Sequence, residues 1–263
     1  MGNAIIQALV RAIDILNCFE DAEELGVTEI SNKIKLHKST AFNIISTLEH
    51  CRYLEKNDAT GKYRLGIELF RMGTKVKYDL RKIVVPYLEK LLSQFKETAN
   101  LVVRDGDYVI YLEKIESPHS MRISTAAGSR LPVNTTAVGK AILSGLPDNE
   151  LQQIIDAIPL VKFTDYTICD QNILLENIKK VRISGYAEDF EELEIGLTCV
   201  AAPIFNHTGQ AFAAISISGP TSRMQAEIRE NMGKSLVEIT QEISRTLGYK
   251  PSLKKQPNFA KNN

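Results

Sequence analysis

At 263 residues, with 44% hydrophobic and 24% charged side chains, the chain has the makeup of a soluble globular protein and length for two compact units. Its 32 basic and 32 acidic side chains balance, which excludes a uniformly basic polyanion binder; any contact with DNA has to rest on local charge. No apolar run approaches the roughly 18 residues of a membrane span, and the first residues lack the layout of a secretory signal. Cys18, Cys51, Cys169 and Cys199 form no C-x-x-C pair. These features predict reduced thiols, a cytoplasmic location and no membrane partner.

Taken in chain order, residues 5–20 space Ile5, Ala8, Leu9, Ala12, Ile13, Leu16 and Phe19 as one face of a helix. Thr28 is the expected N-cap of a short second helix that points Ile30, Ile34 and Leu36 at a core. A third helix starts at Ser39 or Thr40 and runs to about His50, with Ala41, Ile44, Ile45 and Leu48 facing inward. "YLEKN" and "KYRLG" then read as a β-hairpin whose turn, Asp58-Ala59-Thr60-Gly61, puts glycine at the demanding position. Helix, helix, turn, helix, hairpin is the order of a winged helix-turn-helix. From Lys33 to Arg64 seven basic side chains stand against three acidic ones, a local net charge of +4. That concentration suits a phosphate-contacting surface.

Residues 66–80 read as a connecting helix, and 83–98 as an amphipathic helix that tolerates Pro86 near its start. Two strands flank Asp105-Gly106-Asp107, and "MRISTAAGS" follows. Segments 136–146, 148–158 and 170–184 are helical, and "TCVAAPIF" and "AFAAISIS" make a buried hairpin joined at Asn206-His207-Thr208-Gly209. A last helix covers about 221–247, and the polar tail 251–263 is expected to be mobile. The fold class predicted is α+β, with an antiparallel sheet in the second unit.

Six stretches, in order and at compatible spacing, resemble the IclR-type bacterial transcription regulators. They are "RAIDIL", "EISNKIKLHKSTAFNIISTLEHCRYLEKN", "KYRLG", "RLPVNTTAVGKAIL", "GYAEDFEELEIGLTCVAAPIF" and "AISISGP", and together they span about 5–248. The resemblance implies a winged helix-turn-helix over 1–65, a linker helix over 66–80, and a GAF-like effector-binding domain over 81–250. It further implies homodimers, or dimers of dimers, on palindromic double-stranded operator DNA. A repressor is the family's usual role; the alternative reading is a ligand sensor or scaffold without regulated DNA binding.

In that frame Lys38 is the expected phosphate contact, and Thr28, His37, Ser39 and Thr40 belong to the same DNA-facing surface. Phe42, Asn43 and either Ser46 or Thr47 are the expected base readers, and Lys62 and Arg64 on the wing either reach the backbone or minor groove or belong to a solvated hairpin. The family often carries Arg where this chain has Asn43; Asn pairs with adenine N6/N7 whereas Arg favours guanine, so a different operator is expected. The resemblance also places an effector pocket on Ala137, Val138, Asp189, Cys199, Ser216 and Ser218. Residue chemistry is compatible: free amides at a helix start favour an anion, Ser216 and Ser218 share one face of a strand, and Asp189 accepts a hydroxyl or shares a proton. A small organic acid is the effector expected.

An enzyme reading finds little support. Cys199, His207 and Asp189 are the residue types of a nucleophilic set, but His207 lies in a turn eight residues beyond Cys199. No G-x-S-x-G, Walker A or dinucleotide glycine motif is present, and His37, His50, His119 and His207 have no metal-ligand spacing. The expectation is therefore no enzymatic activity, no cofactor and no metal.

Overall fold

The computed structural model describes residues 5–73, 75, 79–122 and 126–250. They form two compact units, divided between Tyr78 and Asp79. The proposed tail, 251–263, lies outside the described residues.

The first unit packs α1 (Gln7–Asn17), α2 (Val27–Lys33) and α3 (Lys38–His50) with a two-stranded wing, β1 (Leu54–Lys56) and β2 (Tyr63–Leu65), followed by α4 (Ile67–Gly73). Its core gathers Ile15, Phe19, Leu25, Ile30, Ala41, Ile45, Leu54 and Tyr63, all buried. The wing is antiparallel and turns at Gly61, whose φ of +68° is strained for other residues. Leu25 and Tyr63 exchange both backbone hydrogen bonds at 2.9 Å, tying the wing to the α1–α2 loop.

Two expectations need correction here. Thr28 is not the N-cap of α2: the helix begins two residues earlier from Gly26, whose N–H donates to Glu29 Oε2 at 2.6 Å. A carboxylate three residues into the helix thus does the capping that a threonine hydroxyl was expected to do. The connecting helix is also shorter than 66–80. It ends at Gly73, residues 74 and 76–78 lie outside the described ones, and Asp79 already caps the next helix.

The second unit is a six-stranded antiparallel sheet in the order β5-β4-β3-β8-β7-β6. Its elements are α5 (Leu80–Phe95), β3 (Thr98–Asp105), β4 (Tyr108–Ile115), β5 (Arg130–Pro132), α6 (Ala137–Ser144), α7 (Asp148–Ala157), α8 (Gln171–Ser184), β6 (Ala187–Phe190), β7 (Leu197–Phe205), β8 (Ala211–Pro220) and α9 (Ala226–Thr246). The sequence reading missed the short strands β5 and β6. It also started α5 three residues late: Asp79 accepts from the Arg81 and Lys82 amides, and Pro86 lies well inside the helix.

Alternation along the strands gives the sheet two different faces. Leu101, Val200, Ile215 and Ile217 pack on one side with Leu88 of α5 and Leu236 of α9. Val102, Tyr111, Ala201 and Ala214 pack on the other with Val138 and Ile142 of α6, Ile155 of α7 and Ile178 of α8. The architecture is α+β, as the sequence pattern predicts.

Candidate functional site

In the first unit, α3 buries Ala41 and Ile45 and turns its opposite face to solvent. His37 caps it, with Nδ1 accepting from the Ser39 amide at 3.4 Å and lying 2.8 Å from the Ser39 hydroxyl. Lys38, Ser39, Phe42, Asn43 and Thr47 are exposed, while Thr40 and Ser46 are half-buried. A ring 49% exposed at Phe42 is costly in water and belongs to no core. The Thr47 hydroxyl donates to Asn43 O at 2.9 Å, so its hydrogen is used within the helix. On the wing, Lys62 pairs with Glu29 and Arg64 with Glu55, each at 3.2 Å across exposed side chains. Exposed pairs of this kind contribute about 0–1 kcal/mol and exchange readily for other anions.

In the second unit, register alone assembles a polar row. Asp189 of β6 sits opposite Cys199 of β7, and Cys199 sits opposite Ser218 of β8, so the three are neighbours across the sheet at about 4.8 Å per strand. Ser216 lies two residues along β8 on the same face. Above them α6 begins. Thr136 caps it by accepting from the Gly139 amide at 3.2 Å, which leaves the Ala137 and Val138 amides without intrahelical acceptors. The helix reaches this position because Gly139 has no side chain: a Cβ there would lie 2.1 Å from Val133 O.

Helix start and polar row enclose a cavity of about 490 Å³. Ala137, Val138, Asp189, Cys199, Ser216 and Ser218, all six of the sequence candidates, line it. The sequence reading missed Tyr111, Arg122, Ser129 and Glu194, which also line it. It also missed Asn100 of β3, whose Nδ2 lies 3.1 Å from Ser216 Oγ and 3.2 Å from Ser218 Oγ. A lone Asn in the apolar run "ANLVV" was the available signal. His207 is in the turn beyond the far end of β7, a strand length from Cys199 and its partner Asp189.

Burial dominates the electrostatics. Asp189 is 1% exposed, and desolvation pushes its pKa up to about 7; the charge of Glu192 adds to this, while Lys140 and the Glu192 amide oppose it. That amide donates to Asp189 Oδ1 at 2.9 Å. Lys140, wholly buried in α6, pairs instead with Glu192, whose own pKa is raised by burial. Burial, helped by the nearby Asp189, also raises the Cys199 thiol, which therefore stays protonated and is no thiolate nucleophile. The Tyr111 phenol is raised for the same reason. The site thus presents amide and hydroxyl donors, a cationic Arg122 on its wall, and a carboxyl that is half-protonated near neutral pH. It has the parts to bind an acid. Among the described residues no group of three or more His, Cys, Asp or Glu side chains converges as a metal site, and no helix is long and apolar enough to cross a membrane.

Comparison with known proteins matches two successive parts of the chain to one family. Residues 8–58 match the IclR helix-turn-helix domain, and residues 73–245 match the C-terminal region of bacterial IclR transcriptional regulators. The HTH-type transcriptional regulator XynR of Escherichia coli K12 is 36% identical over 248 residues, covering 93% of this chain and 98% of the relative. The HTH-type transcriptional repressor AllR of Salmonella typhi is 33% identical over 248 residues, covering 93% and 91%. Among solved structures, the Thermotoga maritima IclR superposes with a TM-score of 0.64 at 32% identity, covering 92% of this chain and 99% of that one.

Proposed function

We propose, for a chain that belongs to the IclR family of bacterial transcription regulators, that it represses transcription from a palindromic operator and that a small organic acid in the β6–β7–β8 cavity controls its occupancy. The observation that carries this reading is the convergence of two free helix-start amides, two serine hydroxyls and a buried carboxyl on one cavity, in a chain whose other unit presents an uncovered α3. The cavity's volume is within the usual 300–1,000 Å³ of small-molecule sites. The acid's carboxylate meets the Ala137 and Val138 amides and the serines, where the helix dipole favours negative charge. Asp189 accepts a ligand hydroxyl, or keeps its proton against a second ligand oxygen. The sign of regulation follows the name of the Salmonella relative, a repressor.

On the DNA side Lys38 holds phosphate and positions α3, with His37, Ser39, Thr40 and the exposed Thr28 beside it. Phe42 and Asn43, with Ser46 and Thr47, face base edges. Lys62 and Arg64 exchange their carboxylate partners for phosphates. The chain acts as a homodimer or a dimer of dimers. Supporting this, α1 and the residues just before it expose Ile5, Ile6, Leu9 and Ile13, each more than half accessible, a stripe that a second copy would cover.

The test is DNA binding by fluorescence anisotropy with the promoter DNA upstream of the chain's own gene, at fixed salt. Pyruvate, gluconate and benzoate are then titrated in. Specific binding that one acid weakens about 5–150-fold, the usual range of allosteric coupling, supports the reading. Specific binding indifferent to every acid defeats the effector half; no specific binding defeats the whole.

A further inference from the structure

Asn100 and the two cavity serines form a three-residue arrangement that neither the family match nor the cavity lining accounts for. Asn100 is 2% exposed, Ser216 1% and Ser218 4%. Asn100 is the register partner of Ser216 and diagonal to Ser218, so its carboxamide reaches both hydroxyls from the neighbouring strand. Nδ2 donates to Ser216 Oγ at 3.1 Å and to Ser218 Oγ at 3.2 Å, while Oδ1 is buried without a partner.

The carboxamide has two orientations, and they give the cavity opposite polarity. With Nδ2 toward the serines, both amide hydrogens are used and one acceptor, Oδ1, is left over. Reversed, Oδ1 would absorb both hydroxyl hydrogens and bury an NH2 group with two unused donors. The observed orientation leaves over Oδ1 and the two hydroxyl hydrogens, beside the cavity that both serines line, whereas the reversed one leaves two amide hydrogens buried. In the observed orientation both hydroxyl hydrogens are free of Asn100.

We propose that Asn100 is a specificity-determining positioning residue: by donating to Ser216 and Ser218 it leaves both hydroxyl hydrogens for the cavity, so that the floor binds a ligand carboxylate better than the neutral carboxamide and disfavours an ammonium group. For the ligand this rests on the effector reading of the cavity; for the hydroxyl polarity it rests on the geometry of β3 and β8. Donation by Asn100 also polarises each hydroxyl, which strengthens its own donation to a ligand oxygen.

The experiment has two arms. In the first, the Asn100 side-chain NH2 is observed by ¹⁵N NMR on the full chain and assigned by its loss in Asn100→Leu. Two inequivalent, slowly exchanging hydrogens are expected; exchange at the rate of a free carboxamide overturns the proposal whether or not a ligand is known. In the second, thermal shifts are measured for pyruvate, gluconate and benzoate against pyruvamide, gluconamide and benzamide. The wild type should prefer at least one acid over its amide by roughly 10–100-fold, the worth of one charge-assisted hydrogen bond. Asn100→Asp, which takes the hydroxyl hydrogens itself, should bind that acid more weakly and its amide more tightly than the wild type does. Simple structural damage would weaken both, and simple charge repulsion would leave the neutral amide unchanged; either result overturns the proposal. Asn100→Leu, which carries no charge, should shrink the preference by letting the hydroxyls rotate, and a preference kept intact there also overturns it. If no acid shifts the wild type, the effector reading falls together with the selectivity, and the exchange arm alone decides the hydroxyl polarity.

Discussion

Asp189→Asn isolates the energetic consequence of burying a carboxyl beside the cavity. In the folded chain Asp189 titrates at about 7 against a reference of 3.8, so the folded state holds the proton more tightly than the unfolded state. The sign follows from linkage: its contribution to stability is fully present below the unfolded value and is lost as pH rises through the folded one. Between pH 5 and pH 8 the folded group loses its proton while the unfolded one is already ionised. About two pH units of that window lie below the folded value, and at 1.36 kcal/mol per unit the wild type should lose about 3 kcal/mol from this group. Asparagine keeps an acceptor for the Glu192 amide, now 2.9 Å from Oδ1, and carries no charge at any pH. Relative to the wild type, Asp189→Asn should therefore gain about 3 kcal/mol of stability between pH 5 and pH 8. Urea unfolding of both chains by circular dichroism across this range measures the difference. Parallel stability profiles from pH 5 to 8 would show that Asp189 ionises without penalty and would refute the desolvation argument.

Further outcomes can be checked in the same way, by substitution. Lys140→Met leaves Glu192 buried with no cation and should cost about 3–5 kcal/mol in urea unfolding, most of it recovered in the Lys140→Met/Glu192→Leu double variant. Gly139→Ala forces a Cβ against backbone atoms of Val133 that cannot step aside, and should cost about 1–3 kcal/mol. On the DNA side, Lys38→Ala should weaken all sequences alike and reduce the salt slope of binding by about 0.9, whereas Asn43→Ala should cost about 1–3 kcal/mol at one base pair and relax preference there. Leu9→Glu, which charges the exposed stripe of α1, should shift sedimentation toward the monomer without a large change in thermal stability.

How much of this was legible from residues alone depended on range. The helices announced themselves through local periodicity, and the wing through a glycine at the one turn position that needs positive φ. Short strands escaped because three or four residues, as in Arg130–Pro132 and Ala187–Phe190, carry too little alternation to detect. Thr28 was misplaced for a related reason: a good capping residue was present, but Glu29 reaching back to Gly26 was the better solution one turn away. The six cavity candidates came through family resemblance; their chemistry was only compatible with the role. Asn100 and Lys140 were out of reach because their meaning is tertiary. Asn100 meets Ser216 across 116 residues of chain, and Lys140 inside "AVGKAIL" reads as a solvent-facing lysine until Glu192 is brought to it. No local pattern encodes which strands become neighbours.

Those long-range pairings give the sheet two chemically different faces. Against α5 and α9 the strands present Leu101, Val200, Ile215 and Ile217, an apolar surface that stabilises the fold by burial. The same strands turn Asn100, Ser216, Ser218 and Cys199 to the other side, where Asp189 of β6 joins them, with a buried Lys140–Glu192 pair close by. Buried polar groups of this kind contribute less than well-packed apolar residues of the same volume, and three of their atoms or charges are left imperfectly met: Asn100 Oδ1, Glu192 Oε2 and the Asp189 carboxyl. A core under selection for stability alone would exchange them for apolar side chains. Their concentration at one cavity, on one face of a sheet whose other face is mainly apolar where β3, β7 and β8 meet α5 and α9, is a departure from that logic that the proposed ligand role would account for.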